Sequence, residues 1–432
     1  MPLAGLPIGK RSALLLDKEN MTKYSISPMS SLYELYLRHP RISTDSRRIE
    51  PDSVFFALRG ASFDGNRFAA DALEKGAAYA VVDDPSLPNT RPDKADRLIV
   101  VDDALQTLQT LAREHRRELG LPILAITGSN GKTTTKELVS RVLAERFEVY
   151  ATRGNLNNHI GVPLTLLAMT RDTEFGVVEM GASACGELAL LASVAEPNYG
   201  ILTNIGLAHL EGFGGPEGVR RGKGELFDYL AANGGRAFVP REDQTLTNMA
   251  AERDGLAAEY YSVTLADGIA HHLEGDYNRF NIAAAVAVGR YFDIDGERIR
   301  HAVGSYMPDN NRSQRTETER NTLIVDCYNA NPSSMRASVL NFLAEPAGGR
   351  SRRVLILGDM LELGAWSEQE HRDIVALAAR NPDAELMLVG GEFARACADM
   401  EPQPANTALF PSREELIAEL RRRPVENAFV LV

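Results

Sequence analysis

A glycine-rich loop between an apolar run and an amphipathic pattern constrains the fold of this chain more than any other segment. Residues 127–134 read TGSNGKTT and follow the apolar run LPILAI at 121–126, which predicts a buried parallel strand. Beyond the loop, Leu138, Val139, Val142, Leu143 and Phe147 recur at helical spacing. Two glycines allow a tight turn whose N–H groups can face a phosphate, at the positive end of the helix dipole. Lys132 can then reach the outer phosphates and the Thr133 hydroxyl suits Mg²⁺, so the segment predicts a nucleoside triphosphate site.

The spacing of the glycines departs from the common phosphate loop. That loop has four residues between its first glycine and the Gly-Lys pair, which would require a glycine at Ile126. Here Gly128 precedes Gly131 by only two residues. The alternative interpretation is an ordinary strand-to-helix turn that carries a solvated lysine. The order of strand, loop and helix favours phosphate binding.

Length and charge limit the classes of function. A chain of 432 residues can form two or three domains. The formal net charge of -12 argues against nonspecific binding to nucleic acid or to anionic membranes. Any polyanionic substrate must therefore be held by local clusters of positive charge.

Cysteine usage and hydropathy indicate a cytoplasmic protein that does not insert into a membrane. Cys185, Cys327 and Cys397 are scattered and form no CxxC pair, which fits a reducing compartment. No apolar run approaches the roughly 18 residues of a membrane span. Residues 12–16 are too short for a signal-peptide core. Residues 1–20 carry little pattern, and we treat them as an unassigned N-terminal extension.

Alternation of strand and helix patterns divides the rest of the chain into three α/β domains. We predict boundaries at 21–118, 119–305 and 306–432, with the phosphate loop in the middle domain. The apolar runs that predict strands lie at 54–58, 79–82, 98–101, 174–179, 199–204, 323–325, 354–357, 386–389 and 428–432. The expected fold has a central parallel sheet of the phosphate-loop type with helices on both faces, a smaller α/β N-terminal domain and a Rossmann-like C-terminal domain.

Polar residues follow two of the predicted central strands. Because ligands of open parallel sheets lie beyond the carboxyl ends of the strands, we expect Glu179, Thr203, Asn204 and His209 beside the phosphate loop. Glu179 suits Mg²⁺ or, alternatively, a salt bridge. His209 suits a second ion or, equally, a structural hydrogen bond.

Three further features stay ambiguous on composition alone. Lys223 would ordinarily be a solvated lysine, and Arg312 is no more than suggestive. The run DCYNANP at 326–332 follows a strand and could be a polar turn. It could equally bring an acid to a ribose and amides to phosphates across a gap between domains.

Taken together, these segments resemble the Mur ligases, the ATP-dependent amide-forming enzymes of peptidoglycan precursor synthesis. The resemblance extends from about Thr44 to the C-terminus, and this family uses the short form of the phosphate loop. Its motifs are TDSR (44–47), FDG (63–65), TGSNGKTTTKE (127–137), GNLNNHIGVPLTLL (154–167), EMGAS (179–183), TNIGLAHLEGFG (203–214), KGELF (223–227), DCYNANPSSM (326–335) and GDMLELG (358–364). One departure is Tyr277, where these enzymes usually have histidine.

The resemblance implies a defined reaction and a role for each domain. The first domain would hold the UDP end of the substrate, the second ATP, and the third would close over ATP and the acceptor. We expect a monomer, and the last two motifs favour the member that joins D-alanyl-D-alanine to UDP-N-acetylmuramoyl-tripeptide through an acyl phosphate. They do not distinguish meso-diaminopimelate from lysine as the third peptide residue. A related ligase with another acceptor, or a nucleotide-binding protein without catalysis, stays as an alternative.

The resemblance also implies a role for individual residues. The residues expected to bind ATP are Gly128, Ser129, Asn130, Gly131, Lys132, Thr133, Thr134, Asn278, Asn281, Arg312, Asp326 and Tyr328. Those expected to bind the other substrates are Asp45, Ser46, Arg47, Asn155, Asn157, Asn158, Ser183, Asn329 and Asn331. Those expected to act in catalysis are Lys132, Glu179, His209 and Lys223. Thr133 and Glu179 would bind one Mg²⁺ and His209 a second, supported by Lys223 as a carbamate.

Overall fold

A computed structural model describes residues 28–308, 312, 314–398, 400–401 and 404–432. Within these residues the strands form three separate sheets in chain order, each flanked by helices. The prediction of three α/β domains is therefore confirmed. The boundaries at 118 and 305 stay predictions, and the extension at 1–20 lies outside the described residues.

The N-terminal domain contains a four-stranded parallel sheet in the order β1-β2-β3-β4. Its strands are β1 (Ile42–Ser43), β2 (Val54–Phe56), β3 (Tyr79–Val82) and β4 (Leu98–Val100). Its helices are α1 (Pro28–Arg38), α2 (Ala69–Glu74), α3 (Leu87–Thr90) and α4 (Ala104–Leu119), with 3₁₀ turns at Gly65–Phe68 and Pro92–Arg97. Asp103 caps α4 through the Gln106 N–H, and Gly120 ends it in a left-handed conformation.

The central domain contains a six-stranded sheet that is parallel throughout. Its strands are β5 (Ile123–Thr127), β6 (Val149–Ala151), β7 (Phe175–Glu179), β8 (Tyr199–Leu202), β9 (Arg236–Pro240) and β10 (Ala257–Tyr261). Its helices are α5 (Lys132–Ala144), α6 (Gly161–Leu167), α7 (Glu187–Ala195), α8 (Leu210–Phe213), α9 (Pro216–Ala232), α10 (Gln244–Ala251), α11 (Asn278–Tyr291) and α12 (Gly296–Gly304), with a 3₁₀ turn at Val263–Ala266. The strand order is β10-β9-β8-β5-β7-β6.

Helices cover both faces of this central sheet, as predicted. Along β5, Ile123 and Ala125 belong to the core shared with α4, α6, α7 and α9. Leu124 and Ile126 alternate to the opposite face and join the core of α5 and α11. A strand buried on both faces needs apolar residues at every position, which explains the unbroken apolar run before the loop.

The C-terminal domain contains a six-stranded sheet in the order β11-β12-β16-β13-β14-β15. Its strands are β11 (Gln314–Glu317), β12 (Asn321–Val325), β13 (Arg352–Gly358), β14 (Ala384–Val389), β15 (Thr407–Phe410) and β16 (Ala428–Leu431). Its helices are α13 (Pro332–Ala344), α14 (Ser367–Ala378), α15 (Gly391–Ala398) and α16 (Arg413–Arg422), with a 3₁₀ turn at Gly364–Trp366. Only the pairing of β11 with β12 is antiparallel among the pairs of this sheet in the described residues.

The strand order of the central sheet determines where a ligand can bind. β5 lies between β7 and β8 in the interior of the sheet. The strands that follow β5 in the chain therefore lie on both sides of it, and the strand order reverses there. The carboxyl ends of strands at such a reversal open into a crevice.

Across the residues that the structure describes, no helix is both long enough and apolar enough to span a bilayer.

Candidate active site

The two glycines of the loop occupy positions that a side chain could not. Gly128 has φ +138° and Gly131 has φ +78°, both in the region that favours glycine. A Cβ on Gly128 would overlap the hydroxyl of Thr203, and one on Gly131 would lie 2.6 Å from Asn281 Oδ1. Glycine is therefore required at both positions by the close approach of Thr203, which follows β8, and of Asn281 on α11.

The polar end of β8 holds the loop in place. Asn204 Oδ1 accepts from the Asn130 N–H at 3.0 Å, and Asn204 Nδ2 donates to Asn130 O at 3.0 Å. The Thr203 hydroxyl donates to the same oxygen at 2.5 Å. Ser129 Oγ donates to Gly206 O at 3.0 Å and accepts from Gly206 N at 2.9 Å. The loop is thus organised before any ligand arrives.

Asn278 and Asn281 lie behind the loop at the start of α11. The Thr135 hydroxyl donates to Asn281 Oδ1 at 3.0 Å, and Asn281 Nδ2 donates to Asn278 Oδ1 at 2.7 Å. Asn278 Nδ2 in turn donates to Glu274 O at 2.6 Å. These buried amides tie α11 to α5, and both residues line the cleft described below.

Lys132 is the first residue of α5, and its side chain folds back over the loop. Its Nζ donates to Gly128 O at 2.8 Å and to Ser129 O at 3.1 Å. Burial lowers the pKa of Lys132, Glu179 opposes that change, and the nearby Arg312 adds to it. An anion beside the ammonium would replace the two carbonyl contacts and favour the charged form.

Glu179 ends β7 with one carboxylate oxygen unsatisfied. The residue is 2% exposed, and its Oε1 accepts from Asn157 Nδ2 at 2.8 Å. Its Oε2 is buried and has no hydrogen-bond partner among the described residues. A buried oxygen without a partner costs free energy, and a hard cation would satisfy it.

The donor set around Glu179 fits Mg²⁺. Thr133 lies buried in the first turn of α5, one residue beyond Lys132. Within the described ranges, no group of three or more His, Cys, Asp or Glu side chains could hold a metal by itself. Mg²⁺ typically takes one or two carboxylates and completes its shell with water and substrate phosphates, which matches this sparse set.

Lys223 is buried in α9 behind the segment that follows β7. It is 1% exposed, its Nζ donates to Ala182 O at 2.7 Å, and it lies 5.1 Å from the centroid of the Phe213 ring. Burial lowers the pKa of Lys223 well below its ordinary value, and the positive charge of Lys132 lowers it further. Glu187 and Glu225 act in the opposite direction. The environment therefore favours a neutral, nucleophilic amine.

The third domain meets the central domain at the phosphate loop. Asn331 Nδ2 donates to Asn130 Oδ1 at 2.8 Å, and Ser333 Oγ accepts from the Leu207 N–H at 2.7 Å. Asn331 also caps α13 by accepting from the Ser334 N–H at 3.0 Å. A second contact joins His209 Nδ1 to the carboxylate of Glu362.

A cleft of about 880 Å³ lies between the two domains. The predicted site residues that line it are Ser129, Asn130, Gly131, Lys132, Thr134, Asn157, Asn158, Glu179, Ser183, His209, Asn278, Asn281, Arg312, Asp326, Tyr328, Asn329 and Asn331. Arg312 lies over the Tyr328 ring, 3.8 Å from its centroid, and its Nε is buried without a partner in the described part of the chain. Asp326 accepts from the Ser338 hydroxyl.

Other predicted site residues lie outside the lining of this cleft. They are Gly128, Thr133 and Lys223 behind it, Asn155 in an exposed turn, and Asp45, Ser46 and Arg47 in the N-terminal domain. Arg47 pairs with Asp45 through two contacts of 2.9 Å and lowers the pKa of that carboxyl group to about 2. The carbonyl of Ser46 accepts from Lys75 at 2.8 Å.

Sequence reasoning missed several residues that the structure brings to the site. Asp243, Phe280 and Ser333 line the cleft, and Glu362 contacts His209. Asp243 caps α10 by accepting from the Leu246 N–H at 3.0 Å. The sequence pattern of a capping aspartate does not indicate that the residue also lines a cleft. Glu362 lay within a motif that the sequence analysis quoted, but nothing local pointed to His209.

Comparison with known proteins assigns the chain to a family. Three family models match in order: "Mur ligase family, catalytic domain" at 40–116, "Mur ligase middle domain" at 126–277, and "Mur ligase, glutamate ligase domain" at 311–432. The UDP-N-acetylmuramoyl-tripeptide--D-alanyl-D-alanine ligase of Bacillus subtilis (strain 168) is 38% identical over 355 residues, which cover 78% of this chain and 77% of the relative.

Solved structures agree with that assignment. A crystal structure of MurF from Acinetobacter baumannii has a TM-score of 0.78 at 28% identity and covers 90% of this chain and 89% of its own. The fold is shared with the MurF ligase of Thermotoga maritima in complex with ADP, at a TM-score of 0.77, 24% identity and coverage of 91% and 94%. The chain therefore belongs to the Mur ligase family and is a ligase.

Proposed function

We propose that this chain is the ATP-dependent ligase that joins D-alanyl-D-alanine to UDP-N-acetylmuramoyl-tripeptide in peptidoglycan precursor synthesis. The choice of substrates is supported by the 38% identity to the Bacillus subtilis ligase. The observation that carries the chemistry is the hydrogen-bonded phosphate loop beside Glu179, which lines the same cleft and has a buried oxygen without a partner in the described residues. That cleft is shared with the third domain, as a reaction between two bound substrates requires.

The reaction proceeds in two steps that share one site. The terminal carboxylate of the tripeptide attacks the γ-phosphorus of ATP, the bond to the β-phosphate oxygen breaks, and ADP leaves. The amine of D-alanyl-D-alanine then attacks the carbonyl carbon of the acyl phosphate and loses a proton. Inorganic phosphate departs from the tetrahedral intermediate, which leaves the new amide.

Charge neutralisation is the main task of the protein in the first step, because an anion attacks a polyanion. The loop N–H groups and the start of α5 face the β- and γ-phosphates, and Lys132 exchanges its two carbonyl contacts for phosphate oxygens. Arg312 and Asp326 reach the nucleotide from the third domain, with Tyr328 beneath the Arg312 guanidinium. Asn278 and Asn281 hold the adenine side.

Glu179 and Thr133 would hold one Mg²⁺, and His209 would contribute to a second. When bound, Mg²⁺ supplies positive charge beside the phosphates. The unsatisfied Glu179 Oε2 supports the first assignment. Ser183, Asn157 and Asn158 lie nearby on the cleft wall and would bind the tripeptide, together with Asn155.

Lys223 would act as a carbamate. Its neutral amine attacks CO₂, loses a proton and becomes an anion, which reverses the charge behind the metal site. Burial and the depressed pKa of Lys223 support this proposal. The Ala182 carbonyl, which now accepts from Nζ, would accept from the carbamate N–H instead.

The remaining assignments follow the domains. Asp45, Ser46 and Arg47 would bind the UDP end within the 21–118 domain, once the Asp45–Arg47 pair opens. Asn329 and Asn331 would contact the acceptor from the 306–432 domain. We place the reaction in the cytoplasm and in a single subunit.

A phosphate-release assay with purified protein tests the proposal. We expect ATP turnover that needs both the tripeptide and D-alanyl-D-alanine, and Lys223→Ala to lower the rate by roughly a hundredfold or more, as loss of a transition-state-stabilising group does. A small added carboxylate should restore part of that loss. Lys94→Ala serves as the control, because Lys94 pairs with Glu74 outside the cleft. The meso-diaminopimelate and lysine tripeptides are assayed side by side.

Three results would each contradict a part of the proposal. Equal turnover with single amino acids would favour a related ligase with another acceptor. ATP binding without turnover on any acceptor would favour a nucleotide-binding protein that has lost catalysis. Full activity of Lys223→Ala would remove the carbamate from the mechanism.

A further inference from the structure

A contact between domains fixes the side chain of His209. His209 immediately precedes α8 in the central domain, whereas Glu362 lies in the loop that follows β13 in the third domain. The Glu362 carboxylate hydrogen-bonds to His209 Nδ1. The Glu362 carbonyl also accepts from the Glu211 N–H at 3.0 Å, so the backbone holds the two loops together independently of the side chains.

The chemistry of this contact determines the tautomer of the imidazole. An ionised carboxylate can only accept hydrogen bonds, so Nδ1 must carry the proton. In the neutral ring with this tautomer, Nε2 keeps its lone pair, which is the form in which histidine binds a cation. His209 lines the cleft, and its side chain is 31% exposed.

Backbone strain on both sides of the contact supports a functional reading. His209 has φ +53° and Glu362 has φ +60°, in the left-handed region that costs free energy for a residue with a side chain. Such residues persist where the surroundings fix them, and they cluster at functional sites. Here two of them face each other across a boundary between domains.

We propose that Glu362 is a positioning residue that orients His209 and holds its Nε2 ready for a cation when the third domain is docked. This inference rests on the proposed function and adds a residue to it. The carboxylate–imidazole pair links docking of the third domain to the readiness of the metal site, because its two halves belong to different domains. Undocking removes the acceptor and releases the ring.

The test compares Glu362→Ala, Glu362→Gln and a control, Glu368→Ala. Glu368 is an exposed carboxylate nearby in sequence that pairs with Arg372. The first measurement is the ¹⁵N spectrum of the His209 ring in the protein without nucleotide or metal, assigned with a His209→Asn variant. We expect the Nδ1–H tautomer in the wild type and the control, its loss in Glu362→Ala, and its retention in Glu362→Gln, whose amide oxygen still accepts.

The second measurement is the Mg²⁺ concentration that gives half-maximal ligase activity. Removing the partner of a metal-binding histidine weakens metal affinity by about 10–100-fold, so we expect a rise of at least roughly tenfold in Glu362→Ala. Glu362→Gln and Glu368→Ala should stay near the wild type. A role in folding alone would lower the melting temperature without this selective change.

An unchanged His209 tautomer in Glu362→Ala would overturn the inference, whatever the activity. Should that variant fail to fold, Glu362→Leu keeps the bulk of the side chain without an acceptor and is judged by the same criterion. The ring measurement needs no turnover. A wild-type protein that carries the Nδ1–H tautomer but has no ligase activity would contradict the proposed function and leave the positioning of His209 supported.

Discussion

The central domain meets its two neighbours through contacts that differ in their share of polar groups. Towards the N-terminal domain, α4 packs against β2 and α1 on one side and against α6 and α7 on the other. Its Leu108 and Leu111 are fully buried in one core that includes residues of all these elements. Arg116 adds hydrogen bonds of 3.1 Å to Ala195 O and 3.0 Å to Asn198 Oδ1.

The contact towards the C-terminal domain adds several hydrogen bonds to apolar contacts, since Met360 and Leu363 belong to the same core as Leu210 and Phe213. Its hydrogen bonds join Asn331 to Asn130, Leu207 to Ser333 and His209 to Glu362. One aromatic side chain adds to them, because a Cβ on Gly215 would lie 2.9 Å from the Trp366 ring. We call this surface the polar joint and the one around α4 the apolar joint.

The difference indicates which of the two contacts separates at the lower cost. Burial of apolar area is lost in full when a surface separates, whereas a hydrogen bond to another residue exchanges for one to water at a net cost of only about 0.5–1.5 kcal/mol. The hydrogen bonds of the polar joint can therefore be exchanged at a lower cost than the buried area of the apolar joint. We expect the third domain, which carries Arg312 and Asp326, to separate from the central domain more readily than the N-terminal domain does.

The largest expected effect comes from damage to the apolar joint. Leu108→Ala should lower the free energy of unfolding by about 2–5 kcal/mol, because it removes buried methyl groups and leaves a cavity. The measurement is urea denaturation. Leu340→Ala is the control, since Leu340 is 47% exposed and should change stability by no more than about 0.5 kcal/mol. Equal losses of unfolding free energy in the two variants would show that packing of α4 does not stabilise the apolar joint.

A smaller effect on stability, but a larger one on shape, is expected at the polar joint. Trp366→Ala removes the ring from Gly215, so the radius of gyration without ligands should increase while unfolding changes less than in Leu108→Ala. Small-angle X-ray scattering measures the shape. Trp366→Phe keeps an aromatic ring and should restore most of the compactness. An unchanged scattering profile in Trp366→Ala would mean that the hydrogen bonds hold the joint without it.

Local pattern in the sequence was sufficient for the elements that build the crevice. The apolar runs at 174–179 and 199–204 became β7 and β8, and Glu179, Thr203, Asn204 and His209 lie beside the loop, as their positions at strand ends predicted. The prediction omitted β1, β6, β9, β10, β11 and β15, all of which lie at or next to a sheet edge. Exposed polar residues obscure the apolar pattern in most of them, but not in β9, which is buried from Ala237 to Pro240.

Contacts between domains could not be predicted in the same way. His209 and Glu362 are 153 positions apart, and periodicity says nothing about which loops of different domains meet. The same limit applies to Asn331 and Asn130, which are 201 positions apart. The burial of Lys223 could not be predicted either, because a lysine between two glycines and after two arginines is typical of an exposed segment. Its burial depends on how α9 packs against Phe213.

The smallest expected effect concerns the pH dependence of the apolar joint. His115 on α4 is buried, with Nε2 3.0 Å from Met169 O and Nδ1 3.1 Å from the Tyr33 hydroxyl. Burial lowers the pKa of His115, and the contact with Met169 O only partly opposes it. The carbonyl must receive the Nε2 proton, so in the neutral ring Nδ1 is free to accept from the Tyr33 hydroxyl.

The sign of the effect follows from proton binding. With a folded-state pKa below the unfolded value of about 6.5, the unfolded chain binds more protons in the window between the two. The stabilisation is complete above the unfolded pKa and is lost as the pH falls through the folded one.

His115→Gln can still donate to Met169 O and accept from Tyr33, so its urea midpoint should fall less between pH 7.5 and 5.5 than that of the wild type. His301→Gln, at an exposed position, should leave the decline unchanged. If the urea midpoint of His115→Gln falls as much as that of the wild type, the acid sensitivity lies outside α4. The apolar joint would then be insensitive to pH.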